Sequence, residues 1–159
     1  MKKINENVKI RKAKIDDYDA IINLYKQLYG AELVFDDNLV KEYFVDDKEE
    51  NKIKKKIKSR KIIFLVAYVD NKVVGMVDGY IIDSIYHTGK ISYLDHLCVD
   101  EKFRNQNIAT ELIEAFSKKS KEKGAEFLKL NAFEKNTPAV NLYKKHGFEE
   151  YSIMYMKKI

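Results

Sequence analysis

The sequence predicts an α/β domain, a mixed sheet flanked by helices, on three observations. Strand-like and helix-like stretches alternate along the chain. A nearly continuous apolar run, Lys61 to Val69, has the pattern of a strand covered on both faces. Two later helical stretches each end on a glycine, Gly124 and Gly147.

Val8 to Ala13 alternates (VKIRKA) and predicts the first strand. Asp16 can cap a helix whose Tyr18, Ile21, Ile22, Tyr25, Leu28 and Tyr29 share one face, with Gly30 as its stop. A second helical region spans Asp37 to Ser59, with Leu39, Tyr43, Ile53 and Ile57 at helical spacings and a break near Asp46-Asp47. After Lys61 to Val69, the pair Asp70-Asn71 predicts a hairpin into Lys72 to Ile82. Lys90 to Val99 (KISYLDHLCV) is the fourth strand, followed by a polar loop and a helix from Asn107 to Lys123. That helix buries Ile108, Leu112, Ile113 and Phe116, and the lysines near its end suit its dipole. Glu126 to Phe133 is a further strand, Thr137 and Pro138 open a helix that ends at Gly147, and Phe148 to Lys157 supplies a last strand.

With 159 residues, one proline and no internal repeat, a single domain over residues 1–159 is expected, burying about 70% of the surface its unfolded chain exposes. The one cysteine, Cys98, cannot form an internal bridge. No apolar run approaches ~18 residues, and MKKINENVKI lacks the apolar core of a signal peptide, so the expected location is the cytoplasm. A net charge of +5 with dispersed lysines permits an anionic ligand without requiring nucleic acid, and the run Lys52 to Lys61 is read as a solvated helix face. His87, His96 and His146 with one cysteine make no metal-ligand spacing, so no metal is expected.

The chemistry is concentrated in the loop RNQNIA, Arg104 to Ala109. A strand that feeds a polar loop opening into a helix exposes unpaired N–H groups at the positive end of the helix dipole, which suits phosphate oxygens. Arg104 adds a charged donor, and Asn105 and Asn107 are the non-glycine type that best tolerates a left-handed backbone. An ordinary strand-to-helix loop with asparagine caps fits the spacing equally well. The missing Gly-Lys-Ser/Thr excludes a nucleotide-hydrolase loop, and the missing glycines exclude a Rossmann fingerprint.

From Tyr93 to Phe148 the chain resembles the GNAT superfamily of N-acetyltransferases, including, on the fourth strand, its diamine acetyltransferases. The family's Arg/Gln-x-x-Gly-x-Gly/Ala maps onto Arg104, Asn107 and Ala109, with asparagine where glycine is usual at 107 and frequent at 105. NTPAVNLYKKHGF, Asn136 to Phe148, is similar to the second signature. The resemblance implies a GNAT-type mixed, mainly antiparallel sheet whose fourth and fifth strands splay to admit acetyl-coenzyme A. It implies that Leu97, Cys98 and Val99 pair with the pantetheine and acetyl amides like an added strand. It further implies that Arg104, Asn105, Gln106, Asn107, Ile108, Ala109 and Thr110 hold the pyrophosphate, that Asn136 holds the pantetheine, and that Tyr143 sits by the sulfur. With asparagine in the glycine's place, either Asn107 donates a hydrogen bond or coenzyme affinity is reduced; the first is favoured because asparagine tolerates the required backbone. Without it, Leu97 to Val99 and Tyr143 read as core packing, and Cys98 as a small buried residue.

Acetyl transfer to an amine needs a neutral nitrogen, an oxyanion site and a proton for the thiolate. A backbone N–H near Cys98 serves the second and Tyr143 the third. Asp95 is the expected base, acting through water or by binding the ammonium, because a carboxylate near 3.9 cannot directly strip an alkylammonium near about 10.4. His96 is the rival base, which strand alternation turns to the opposite face. The acceptor pocket is expected from the first two helices and Asp83 to Gly89, with Asp36, Asp37 and Asp83 as candidate attractants.

The sequence reading is therefore an acetyl-coenzyme A-dependent N-acetyltransferase acting on a primary amine of a small molecule or peptide in a ternary complex. Nucleic acid and membrane partners are not expected, and a homodimer is left open. Two rivals stand beside it: a module that binds the coenzyme without turnover, and a basic RNA-associated domain suggested by the pI near 9.0.

Overall fold

A computed structural model describes residues 7–39 and 47–159. Its elements are β1 (Lys9–Lys12), a 3-10 turn (Ile15–Asp17), α1 (Tyr18–Glu32), α2 (Asp47–Lys58), β2 (Ile62–Val69), β3 (Lys72–Ile82), β4 (Lys90–Val99), a second 3-10 turn (Glu101–Phe103), α3 (Ile108–Glu122), β5 (Ala125–Lys129) and α4 (Thr137–Lys145). The strands form one sheet in the order β1-β2-β3-β4-β5. All neighbours are antiparallel except β4 and β5, which are parallel. The mixed, mainly antiparallel sheet flanked by helices is thus present.

Each face of the sheet carries its own core. Ile63, Leu65, Ala67 and Val77 meet Ile108, Leu112, Ile113 and Phe116 of α3 on one face. Phe64, Val66, Met76 and Cys98 meet Ile21, Leu24 and Tyr25 of α1 and Ile53 and Ile57 of α2 on the other. Burying each of these large side chains contributes about 1.5–3 kcal/mol, so the β2–β3 pair, covered on both faces, anchors the domain. A hydrogen bond of 2.8 Å between the buried hydroxyls of Ser92 and Ser120 fixes α3 over β4. Near the start of the chain, Arg11 grips Asp17 with two bonds of 2.7 and 2.8 Å, and that grip holds the Asp17 carboxyl below its ordinary range.

The β4–β5 ladder runs only from Lys90↔Ala125 to Tyr93↔Lys129. Leu94 to Val99 continue without a β5 partner, which is the expected divergence of the fourth and fifth strands.

Four expectations are corrected. Gly30 does not stop α1, which runs on to Glu32; the glycine keeps a right-handed backbone, and the helix ends where Leu33 N–H bonds Tyr29 C=O. The capping role expected of Asp16 is absent because Asp16 lies within the 3-10 turn, and Asp17 occupies the N-cap. β5 ends at Lys129 rather than Phe133. Phe148 to Lys157 forms no strand: none of the described strands pairs with it, although β5 is an edge of the sheet, and Tyr151 instead touches His87 and Lys129 through side chains. Of the expected second helix, Asp47–Lys58 is formed, 36–39 is a turn, and Tyr43 lies outside the described residues.

Candidate active site

The loop from β4 to α3 is built to hold an unusual backbone. Asp100 caps the Glu101–Phe103 turn by accepting from Lys102 N–H at 2.9 Å, and Gln27 of α1 ties it down through Asp100 and Glu101, each at 3.0 Å. Asn105 and Asn107 then take φ of 62° and 68°, the left-handed region foreseen for them. Asn107 is the N-cap of α3, yet its side chain makes no capping bond; its amide turns toward Glu111 at 3.5 Å. The first N–H groups of α3, on Ile108, Ala109 and Thr110, are therefore left to the loop side at the positive helix end. Arg104 is exposed and donates to Val99 C=O at 3.2 Å, joining the loop to the open end of β4. Gln106 is partly buried in the same loop.

Helix α4 meets this loop from the other side. Asn136 caps it, accepting from Ala139 N–H at 3.4 Å, and His146 bonds Thr110 at 3.3 Å. Tyr143 is partly buried, edge-on to Phe148 with centroids 5.8 Å apart. Burial first, then the charge of Glu32, pushes its phenol up to about 12. Cys98 is buried, and burial pushes its thiol up to about 11, so it is a packing residue rather than a ready nucleophile. Leu97 and Val99 pack toward α3.

The opposite face of β4 holds a polar cluster that sequence reading missed. A β-bulge changes the β3–β4 register between Asp78 and Gly79: Asp78 faces His96 while Gly79 faces Leu94, leaving Asp95 as the extra residue. The bulge corrects the expectation that His96 and Asp95 lie on opposite faces. Asp95 is within 3.4 Å of His96 Nδ1 and 3.6 Å of Lys56 Nζ. Asp78, only 1% exposed, receives hydrogen bonds from Tyr25 Oη, from His96 Nδ1 at 3.0 Å and from Lys56 Nζ at 3.3 Å. Burial pushes the Asp78 carboxyl up, but His96, Lys56 and Tyr25 outweigh it and hold it below its ordinary value. On the outer side, Tyr29 Oη lies 3.2 Å from His96 Nε2. The signal was a lone aspartate inside an apolar strand, VVGMVDGYII.

Glu32, at the end of α1, was also missed. Burial raises its carboxyl against the pull of His96, and its charge acts on both Cys98 and Tyr143. It thereby links the cluster to the Tyr143 side. The donor atoms of Asp78, Asp95 and His96 lie within 4.8 Å of one another, a ligand-like group that sequence spacing did not reveal. Lys56 already supplies a cation to it. The foreseen acceptor acids are not gathered: Asp36 and Asp37 bond Asn38, and Asp83 pairs with Lys90 at 3.7 Å. His87 bonds Ser84 and Tyr151 at the edge of the fold. No helix among the described residues is long and apolar enough to cross a membrane.

Comparison with known proteins gives this geometry a family. The model of the acetyltransferase (GNAT) family matches residues 18–148. An N-alpha-acetyltransferase of Sulfurisphaera tokodaii is 30% identical over 159 residues, covering 96% of this chain and 86% of the relative. One of Saccharolobus solfataricus is 29% identical over 152 residues, covering 91% and 82%. Among solved structures, an aminoglycoside acetyltransferase from an uncultured soil metagenomic sample superposes with a TM-score of 0.76 at 25% identity, covering 99% of both chains. The chain belongs to the GNAT family and is an acetyltransferase.

Proposed function

We propose that the protein transfers the acetyl group of acetyl-coenzyme A directly to a free amine, and that the amine is the N-terminal α-amine of a peptide or protein. The observation that carries this reading is the meeting of the unpaired end of β4 with the open N-terminus of α3 through two left-handed asparagines. Such a corner offers backbone N–H groups for the pyrophosphate and a free strand edge, Leu97 to Val99, for the pantetheine amides. Arg104 to Thr110 would cradle the phosphates, and Asn136 would meet the pantetheine. Bound there, the coenzyme would supply the activated acetyl group.

The chain's own residues supply the rest. Asp95, 43% exposed at the bulge, receives the incoming ammonium. Tyr143, whose phenol stays protonated far above neutral pH, would protonate the departing thiolate. Direct transfer is favoured over an acetyl-enzyme because the chain's one thiol is buried and poorly ionised. The α-amine is favoured because the two relatives named above are N-alpha-acetyltransferases and because an α-ammonium, near about 8, gives up its proton far more readily than an alkylammonium near about 10.4.

The test is thiol release from acetyl-coenzyme A across peptides with free and blocked N-termini, polyamines and aminoglycosides. Turnover confined to free N-termini is expected. Turnover only with aminoglycosides would overturn the acceptor, and calorimetric binding of the coenzyme with no thiol release from any amine would favour a non-catalytic module.

The asparagine in the cradle gives a separate prediction. Asn107→Gly keeps the left-handed backbone and should leave acetyl-coenzyme A affinity within about twofold, since the side chain points to Glu111. Asn107→Val cannot hold φ near 68° without a cost of about 1–2 kcal/mol and should weaken binding by roughly tenfold. Isothermal titration reads both; a tenfold loss in the glycine variant would mean that the amide itself holds the phosphate.

A further inference from the structure

The hydrogen-bond chain Tyr29–His96–Asp78 has no evident structural need. A buried carboxylate among apolar strands is costly unless it is paired, and Asp78 is satisfied three times over, by Tyr25, His96 and Lys56. A packing role would be met by an apolar residue of the same size. The chain also has a direction. Asp78 is ionised and only accepts, so His96 Nδ1 must carry the hydrogen between them. His96 Nε2 is then an acceptor, and Tyr29 Oη donates to it at 3.2 Å. The bulge at Asp95 points this chain to the face where Asp95 lies, 3.4 Å from His96.

We propose that Tyr29, His96 and Asp78 form the relay that removes the proton from the acceptor ammonium, with Asp95 binding that ammonium and not serving as its base. The inference rests on the acetyl-transfer reading above and names its proton acceptor. The ammonium gives one proton to Tyr29 Oη as the tyrosine's own hydrogen passes to His96 Nε2, and Asp78 stabilises the imidazolium from behind. The neutral nitrogen attacks the thioester carbon, the carbon–sulfur bond breaks, and Tyr143 protonates the thiolate. The nitrogen's second proton restores Tyr143, and His96 later releases its proton to water, so one proton leaves per turnover. Tyr29 is the member that would touch substrate; His96 accepts the proton through it, and Asp78 is a positioning residue.

Among the described residues, the groups facing His96 are Asp78 from β3, Lys56 from α2, Asp95 beside it on β4, and Tyr25, Tyr29 and Glu32 from α1. The acid limb of a pH profile is therefore assigned by substitution.

Two measurements test the relay. In the first, kcat/KM against pH is recorded for the wild type, His96→Gln, Tyr29→Phe and Asp95→Asn, using a peptide with a free N-terminus. His96→Gln should lose the acid limb and at least about tenfold in kcat, partly recovered by added imidazole, with acetyl-coenzyme A affinity unchanged. Tyr29→Phe should lose kcat similarly, whereas Asp95→Asn should raise KM and keep the limb. A wild-type limb in His96→Gln, or its loss in Asp95→Asn, overturns the proposal. The second uses the unaltered protein: nitrogen NMR of labelled histidine should find His96 protonated on Nδ1 and not on Nε2 at neutral pH. The opposite tautomer overturns the relay whether or not any amine is acetylated, while absent turnover with the expected tautomer sinks only the acetyl-transfer reading.

Discussion

Gly79→Ala is expected to destabilise the protein by about 3 kcal/mol or more and lower Tm by roughly 6–12 °C. A methyl group there would lie 1.9 Å from Tyr93 C=O and 2.6 Å from the Phe116 ring. The first contact is backbone within the β3–β4 ladder, and the second is a fully buried ring at the centre of the α3 core, so neither can yield cheaply. Two further glycines calibrate the result. At Gly75 a methyl group would meet Leu112, Cys98 C=O and Ile108 at 3.1–3.3 Å, and Gly75→Ala should cost about 1 kcal/mol. At Gly30 nothing among the described residues lies within 4 Å, and Gly30→Ala inside α1 should stabilise by about 0.5–1 kcal/mol. Thermal unfolding of the three variants gives the order; a Gly79→Ala protein as stable as the wild type would mean that the bulge relaxes freely. The site depends on the same position, because Gly79 borders the register change that turns Asp95 and His96 to one face.

That register change marks where the sequence stopped being legible. Strands and helices could be read because burial periodicity is local: β2 carries its apolar run, and α3 its Ile108, Leu112, Ile113 and Phe116. Left-handed Asn105 and Asn107 were equally legible, since asparagine tolerates that backbone and the loop had to turn tightly into a helix. Alternation along β4, however, assumes an unbroken ladder. A bulge is a property of two strands together, so His96 was assigned to the wrong face and its partner Asp78, on another strand, went unnoticed. The same limit explains the tail: Phe148 to Lys157 carries strand-favouring Phe148, Tyr151, Ile153 and Tyr155, but a strand needs a partner, and none of the described strands pairs with it. Lys56 was read as one of a solvated lysine run, correctly for Lys58 and not for the member whose ammonium reaches Asp78.

The largest loss of activity without loss of fold is expected from Tyr143→Phe, which should lower kcat by about a hundredfold or more while acetyl-coenzyme A affinity stays within about twofold. The substitution keeps the ring, and with it the edge-on contact to Phe148, so stability should change little. The sign of the pH effect follows from its environment. Burial and Glu32 both disfavour the phenolate and push the phenol up to about 12, so the proton-donating form is complete at neutral pH and is lost only as pH rises toward that value. A fall in activity between pH 8 and 10 in the wild type would therefore belong to another group, and Tyr143→Phe should scale the profile down without moving that fall. Thiolate is a tolerable leaving group with a conjugate acid near about 8.5, which is why the expected loss is near the lower end for general acid catalysis. Product release can hide a chemical step in steady-state kcat, so the decisive measurement is single-turnover acetylation. An unchanged single-turnover rate would remove Tyr143 from the acid role and leave it as the packing residue its helix position alone would suggest.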